Sequence, residues 1–124
     1  MTIKLYQVDA FTDSVFHGNP AAVCILEKWL DDHVMQYIAM ENNLSETAFA
    51  VKNDDHYDIR WFTPVTEVEL CGHATLATAH VLFTHLQYQG DEIRFTTRYR
   101  GVLKVRKDKD SLTMDFPADH SNKA

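Results

Sequence analysis

No apolar run among the 124 residues is long enough to span a bilayer. The start, Met1-Thr2-Ile3-Lys4, lacks the apolar stretch and small-residue cleavage site of a signal peptide, so a cytoplasmic location is the expectation. Positive charge is in deficit: 12 Lys and Arg stand against 18 Asp and Glu, a formal net charge of −6. Such an acidic domain is a poor partner for nucleic acid or an anionic membrane surface. Only two cysteines are present, Cys24 and Cys71, in different surroundings. Nothing marks them as a disulfide, and free thiols are expected. The histidines at 17, 33, 56, 73, 80, 85 and 120 follow no ligand spacing, and His-Glu-x-x-His is missing, so no metal is expected. Glycine-rich dinucleotide and P-loop motifs are absent, as is a serine nucleophile elbow, and no organic cofactor is indicated. There is no internal repeat.

What is present is the material of one globular domain, 45% hydrophobic and long enough to bury a core. Alternating patterns predict strands over 3–9, 20–26, 46–52, 56–63, 67–70 and 91–97. Residues 103–106 and 112–116 read as a closing hairpin, with the polar link Lys107-Asp108-Lys109-Asp110 as its turn. In the third strand Thr47, Phe49 and Val51 share one face, and Glu46, Ala48 and Ala50 the other. Two helices are predicted. One spans 31–41 with Asp31 as N-cap and an apolar stripe of Val34, Met35, Ile38 and Ala39, so it covers a surface. The other spans 73–87, and Ala74, Leu76, Ala77, Ala79, Val81, Leu82, Phe83 and Leu86 leave it little polar face. A helix apolar nearly all round is buried on most sides, so the expected fold is α+β, with strands wrapped around this helix. The polar tail 118–124 reads as a linker after one domain at 1–117.

Three segments offer chemistry. In Cys71-Gly72-His73-Ala74-Thr75, Gly72 permits a sharp turn and close backbone approach, and the first N–H groups of the following helix have no intrahelical partners. With the macrodipole they make a site for a carboxylate or phosphate, to which His73 adds a hydrogen bond or a proton; a purely structural turn is the competing account. Glu46 opens a strand beside small apolar positions, where desolvation favours a general acid or base; a solvated strand-end glutamate is the alternative. Phe16-His17-Gly18-Asn19-Pro20 is either a ligand loop, with the Asn19 amide as donor and acceptor, or simply a tight turn. Arg98, Arg100, Lys104 and Arg106 read as a charged face that protects a sheet edge rather than as an anion site.

Taken in order, Val8-Asp9-Ala10-Phe11-Thr12, Phe16-x-Gly18-Asn19-Pro20-Ala21-x-Val23, Asn43-Leu44-Ser45-Glu46-Thr47, Arg60-x-Phe62-Thr63-Pro64 and Cys71-Gly72-His73-Ala74-Thr75 resemble the PhzF-like family of phenazine-biosynthesis isomerases, and Phe116-Pro117 fits as well. The resemblance implies the diaminopimelate epimerase-like fold, two similar domains that each wrap a strand roll around a central helix, with the active site between them. It implies proton transfer without metal or organic cofactor on a small carboxylate-bearing substrate. By motif, Glu46 matches the general acid/base, Gly72 and His73 match cleft residues at the central helix, and Asn19 and Ser45 match positions lining the cleft. No second copy of the motifs follows residue 117. The expectation is therefore a half-enzyme that pairs with a complementary second domain or forms a homodimer. Cys71 resembles a catalytic cysteine of the related amino-acid epimerases, and a helix N-terminus would lower its pKa. A thiol mechanism and a non-catalytic binding half-domain stand as alternatives.

Overall fold

A computed structural model of the chain describes residues 3–8, 20–109 and 111–115. Within these, eight strands and two helices alternate: β1 (Leu5–Val8), β2 (Ala21–Leu26), α1 (Asp32–Asn42), β3 (Glu46–Asn53), β4 (His56–Phe62), β5 (Glu67–Val68), α2 (Gly72–Thr84), β6 (Glu92–Thr96), β7 (Val102–Asp108) and β8 (Ser111–Asp115). The strands form one mixed sheet in the order β1-β2-β3-β4-β6-β7-β8, with β5 paired to β4.

Two pairs, β2 with β3 and β4 with β6, run parallel, and a parallel pair needs a crossover. Each helix supplies one. α1 connects β2 to β3 and packs on β3 and β4. α2 lies in the connection from β4 to β6 and packs on β1, β2, β3 and β8. β1 and β8 are the opposite ends of the strand order, so a sheet that brings both against one helix is curled around it.

The alternation in β3 sorts the core into two layers. Ala48 and Ala50 join Ala21, Val23, Ile59, Trp61, Ile93, Phe95, Leu103 and Val105 around α2. Phe49 and Val51 join Cys24 and Phe62 against Met35 and Ala39 of α1. On the α2 side, Ala21, Ala48 and Ala50 of the strands meet Ala74 and Ala77 of the helix, so small side chains on both surfaces allow a close approach. Seven of the thirteen α2 residues are buried.

Several boundaries differ from the sequence expectation. α2 stops at Thr84 rather than 87 because the chain turns left-handed at Gln87 (φ 54°), and the Tyr88 N–H returns to the Leu82 carbonyl at 2.8 Å. Leu86, expected on the buried face, therefore lies past the helix and is exposed. Asp31 sits at the N-cap of α1, but its carboxylate makes no capping bond; its carbonyl accepts from the Val34 and Met35 N–H groups instead. The helix ends on Asn43, left-handed at φ 56°, whose N–H reaches the Ala39 carbonyl. Arg98 and Arg100, in the connection between β6 and β7, pair with Glu67 and Glu69, and Arg106 of β7 pairs with Asp115. Phe16, His17, Gly18 and Asn19, the Phe116-Pro117 pair and residues 118–124 lie outside the described residues.

Candidate active site at the start of helix α2

The N-terminus of α2 is tied to the sheet by a buried polar chain. The Trp61 indole N–H of β4 donates to the Thr75 hydroxyl at 3.0 Å, and that hydroxyl donates to the Cys71 carbonyl at 2.8 Å. A buried indole needs such a partner. This chain fixes Cys71, the N-cap residue, and with it the first turn. Left-handed glycine backbone occurs at Gly90 and Gly101 and not at Gly72. What Gly72 offers at the helix start is thus the absence of a side chain, not an unusual turn.

Glu46 is fixed from the other direction. It begins β3, paired with Ala21 of the parallel strand β2. Asn42, at the end of α1, donates to the hydroxyl of the adjacent Thr47 at 3.4 Å. The result brings Glu46 Oε1 to 3.0 Å from His73 Nε2, and both atoms are sealed from solvent. The other ring nitrogen, Nδ1, lies 3.7 Å from Cys71 Sγ. The 3.0 Å approach is close enough for an ion pair but lacks the alignment of a hydrogen bond, and which ring nitrogen carries the proton decides whether Nδ1 donates to or accepts from the thiol. The two side chains, Glu46 and His73, are 21% and 13% exposed, so the pair is shielded yet open at one edge. Ser45 is half-buried immediately before Glu46. The structure thus brings Glu46, Cys71, Gly72 and His73 together with Ser45 beside them, while Asn19 falls outside the described residues.

Cys71 does not behave as its helix position suggested. Burial pushes its thiol up to about 12, the nearby Glu46 carboxylate adds to this, and the N–H groups of Ala74 and His73 oppose it without prevailing. The helix terminus therefore fails to make a thiolate here, because desolvation of the charged sulfur outweighs two backbone donors. Cys24 is also pushed up to about 12 by burial, and both cysteines are free.

The Arg-x-Phe-Thr-Pro segment has a structural explanation. Arg60 donates to both Glu67 oxygens, at 2.9 and 2.8 Å, and to Asp32 at 3.0 Å, while its guanidinium lies over the Trp29 and Phe62 rings. Thr63 closes the following turn by accepting from the Val65 and Thr66 N–H groups. The positioning residues Trp61, Thr75 and Asn42 were missed from sequence. The one available signal was a Trp at an inward position of β4, whose N–H had to find an acceptor.

Comparison with known proteins places the chain among relatives by sequence and fold. A family profile described as phenazine biosynthesis-like protein, PhzC-PhzF, matches residues 8–121. The chain belongs to the PhzF-like family. An uncharacterized isomerase of Pseudomonas aeruginosa is 61% identical over 118 residues, covering 95% of this chain and 45% of the relative. A crystal structure of a PhzF-family phenazine biosynthesis protein from Enterococcus faecalis superposes with a TM-score of 0.83 at 54% identity, covering 90% of this chain and 43% of that one. A predicted epimerase from Pseudomonas aeruginosa gives 0.72 at 25% identity, covering 90% and 41%. The chain thus spans less than half the length of these PhzF-like and epimerase-like proteins. The expected α+β epimerase-like roll around a buried helix is the fold observed. No helix among the described residues is long and apolar enough to cross a membrane.

Proposed function

We propose that this chain supplies the acid/base half of a PhzF-like isomerase acting on a small carboxylate-bearing metabolite. Glu46 as carboxylate takes a proton from a substrate C–H bond, the electron pair left behind shifts along the conjugated system, and the same carboxyl returns a proton to a different carbon. Atoms and charge balance without a redox partner, so no metal or organic cofactor is invoked. The N–H groups at the start of α2, with Gly72 and His73, bind the substrate carboxylate, and Ser45 and Asn19 line the same cleft. The observation that carries this reading is the 3.0 Å approach of Glu46 Oε1 to His73 Nε2 at a helix N-terminus without an acid of its own. The isomerase names of relatives support it. Residues 1–117 are taken as one domain and 118–124 as a link, working in the cytoplasm against a second domain or as a homodimer.

The test is exchange of substrate C–H protons in D2O by the full-length protein over a panel of small unsaturated carboxylates. Glu46→Gln keeps the shape and removes the base, and the rate is expected to fall about 100- to 10,000-fold. Exchange that persists in Glu46→Gln and is lost in Cys71→Ser moves the assignment to a thiol mechanism, for which the 3.7 Å contact of Cys71 Sγ with His73 Nδ1 is the supporting observation. Failure to bind any small carboxylate leaves a structural half-domain.

A further inference from the structure

The spacing of histidines and cysteines in the sequence predicted no metal site, yet the fold makes a convergent donor set from two separate elements. Among the described residues, one ligand atom from each of Glu46, Cys71 and His73 falls within 4.8 Å of the other two. Glu46 comes from the start of β3, and Cys71 and His73 come from the start of α2.

We propose that Glu46, Cys71 and His73 form a binding site for a thiophilic divalent cation of the zinc class, and that the cation, when bound, withdraws Glu46 and His73 from proton chemistry. The donor chemistry fits. Zinc takes sulfur at about 2.3 Å and nitrogen or oxygen at about 2.0–2.2 Å in a tetrahedron, which sets donor atoms roughly 3.4–3.6 Å apart. The observed 3.0 Å between Glu46 and His73 and 3.7 Å between His73 and Cys71 bracket that range. Those two contacts use different ring nitrogens, so one nitrogen must serve the cation, and the third separation, under 4.8 Å, has at most roughly 1.4 Å to close to the tetrahedral spacing. Three protein ligands leave the fourth position for water or an anionic ligand.

Charge is the second argument. The positive end of α2 opposes a bare cation. A carboxylate and a thiolate together carry two negative charges, so the complex with a neutral imidazole is uncharged, which suits a partly buried position. Binding releases the thiol proton to solvent, and no oxidant or reductant is needed. Hard cations such as Mg2+ gain nothing from the sulfur and keep their waters.

The proposal concerns the site used in the functional reading but does not require that reading to hold, because its readout is spectroscopic. Cobalt(II) replaces zinc and is titrated into the full chain after metal stripping. The expected result is binding of one Co2+ per chain with tetrahedral visible bands and a near-ultraviolet sulfur-to-cobalt charge-transfer band, displaced by Zn2+. The charge-transfer band is lost in Cys71→Ser and kept in Cys24→Ser, while the tetrahedral bands are lost in His73→Ala and in Glu46→Gln, with circular dichroism showing each variant folded. If Cys71→Ser does not fold, the sulfur is assigned on the unmodified chain and Cys24→Ser, where a retained charge-transfer band leaves Cys71 as the sulfur donor. Zn2+ should displace the Co2+ and Mg2+ should not. Absence of the charge-transfer band, its loss in Cys24→Ser, or cobalt spectra unchanged in His73→Ala overturns the site. Glu46-dependent proton exchange without cobalt binding would sink the metal site alone, whereas cobalt binding with exchange indifferent to Glu46 would sink the functional reading alone.

Discussion

α1 and α2 both begin with an N-cap residue that makes no side-chain capping bond, but their first turns differ. α1 carries its own carboxylate there, Asp32, which complements the dipole and is held by Arg60. α2 has no acid in its first turn, and its carboxylate comes from β3, where Glu46 reaches His73. The first arrangement is complete within one surface and stabilises a helix. The second depends on a strand far away in sequence and leaves the helix start without a carboxylate of its own. A helix start becomes a candidate site when its complementing charge is supplied from elsewhere, since that charge can then be repositioned by what binds.

The largest expected difference lies between the two carboxylates. Glu46→Gln should lower proton exchange about 100- to 10,000-fold with the thermal midpoint little changed, while Asp32→Asn should leave exchange untouched. Equal effects in the two would erase the distinction between the helix starts.

The packing beneath the helices offers the next contrast. Met35 is the fully buried large side chain of α1, and Met35→Ala should cost about 2–5 kcal/mol in denaturant unfolding, the cost of a cavity. On the α2 side Ala21, Ala48 and Ala50 share the core with Ala74 and Ala77 of the helix, so at those positions the damaging change is the reverse one. Ala77→Leu should cost about 1–3 kcal/mol through overpacking. If Ala77→Leu were neutral, the close approach of α2 to the sheet would be wrong.

Thr75→Val tests the tie that holds the α2 start. It leaves the buried Trp61 N–H without its acceptor and should destabilise by about 1–3 kcal/mol. A shift in indole fluorescence should accompany the loss. Stability unchanged in the variant would remove the Trp61–Thr75 chain from the account of how Cys71 and His73 are placed.

Alkaline pH probes both thiols. Each is raised from an ordinary 9.0 to about 12 by burial. A pKa raised in the folded state means the contribution is fully present below about 9, where both states keep the proton, and is lost as pH climbs from about 9 to about 12, where only the unfolded thiol ionises. Comparing the parent with Cys24→Ala over this window should show a steeper loss of stability in the parent. Parallel pH curves would contradict the buried thiol. The smallest effect is expected for Asp32→Asn on stability. Arg60 holds the Asp32 carboxyl below its ordinary value, so any contribution is present above the unfolded pKa near 3.8 and disappears as pH falls below it. Because Asp32 is highly exposed, the change at neutral pH should stay within about 1 kcal/mol.

Much of the fold was legible in local pattern. The apolar circumference read from Ala74 to Leu86 marked a helix that the sheet surrounds, although Leu86 itself falls past its end. The alternation in β3 set Ala48 and Ala50 apart from Phe49 and Val51, and the two core layers divide along the same line. These features are local because burial imposes period two on a strand and period 3.6 on a helix, whatever the partner. The helix end was less legible, since the turn at Gln87 depends on a backbone conformation that no apolar pattern encodes.

The sequence by itself determined the order and type of the elements, the buried character of α2 and the residue types available for chemistry. Only the tertiary structure decided that Glu46 meets His73 and Cys71, because that meeting rests on the parallel register of β2 with β3 and on the Trp61–Thr75–Cys71 chain, both long-range. It also decided the protonation of Cys71. A helix N-terminus argues for a thiolate, but the strength of that argument depends on how much water reaches the sulfur, and solvent access is set by the packed fold.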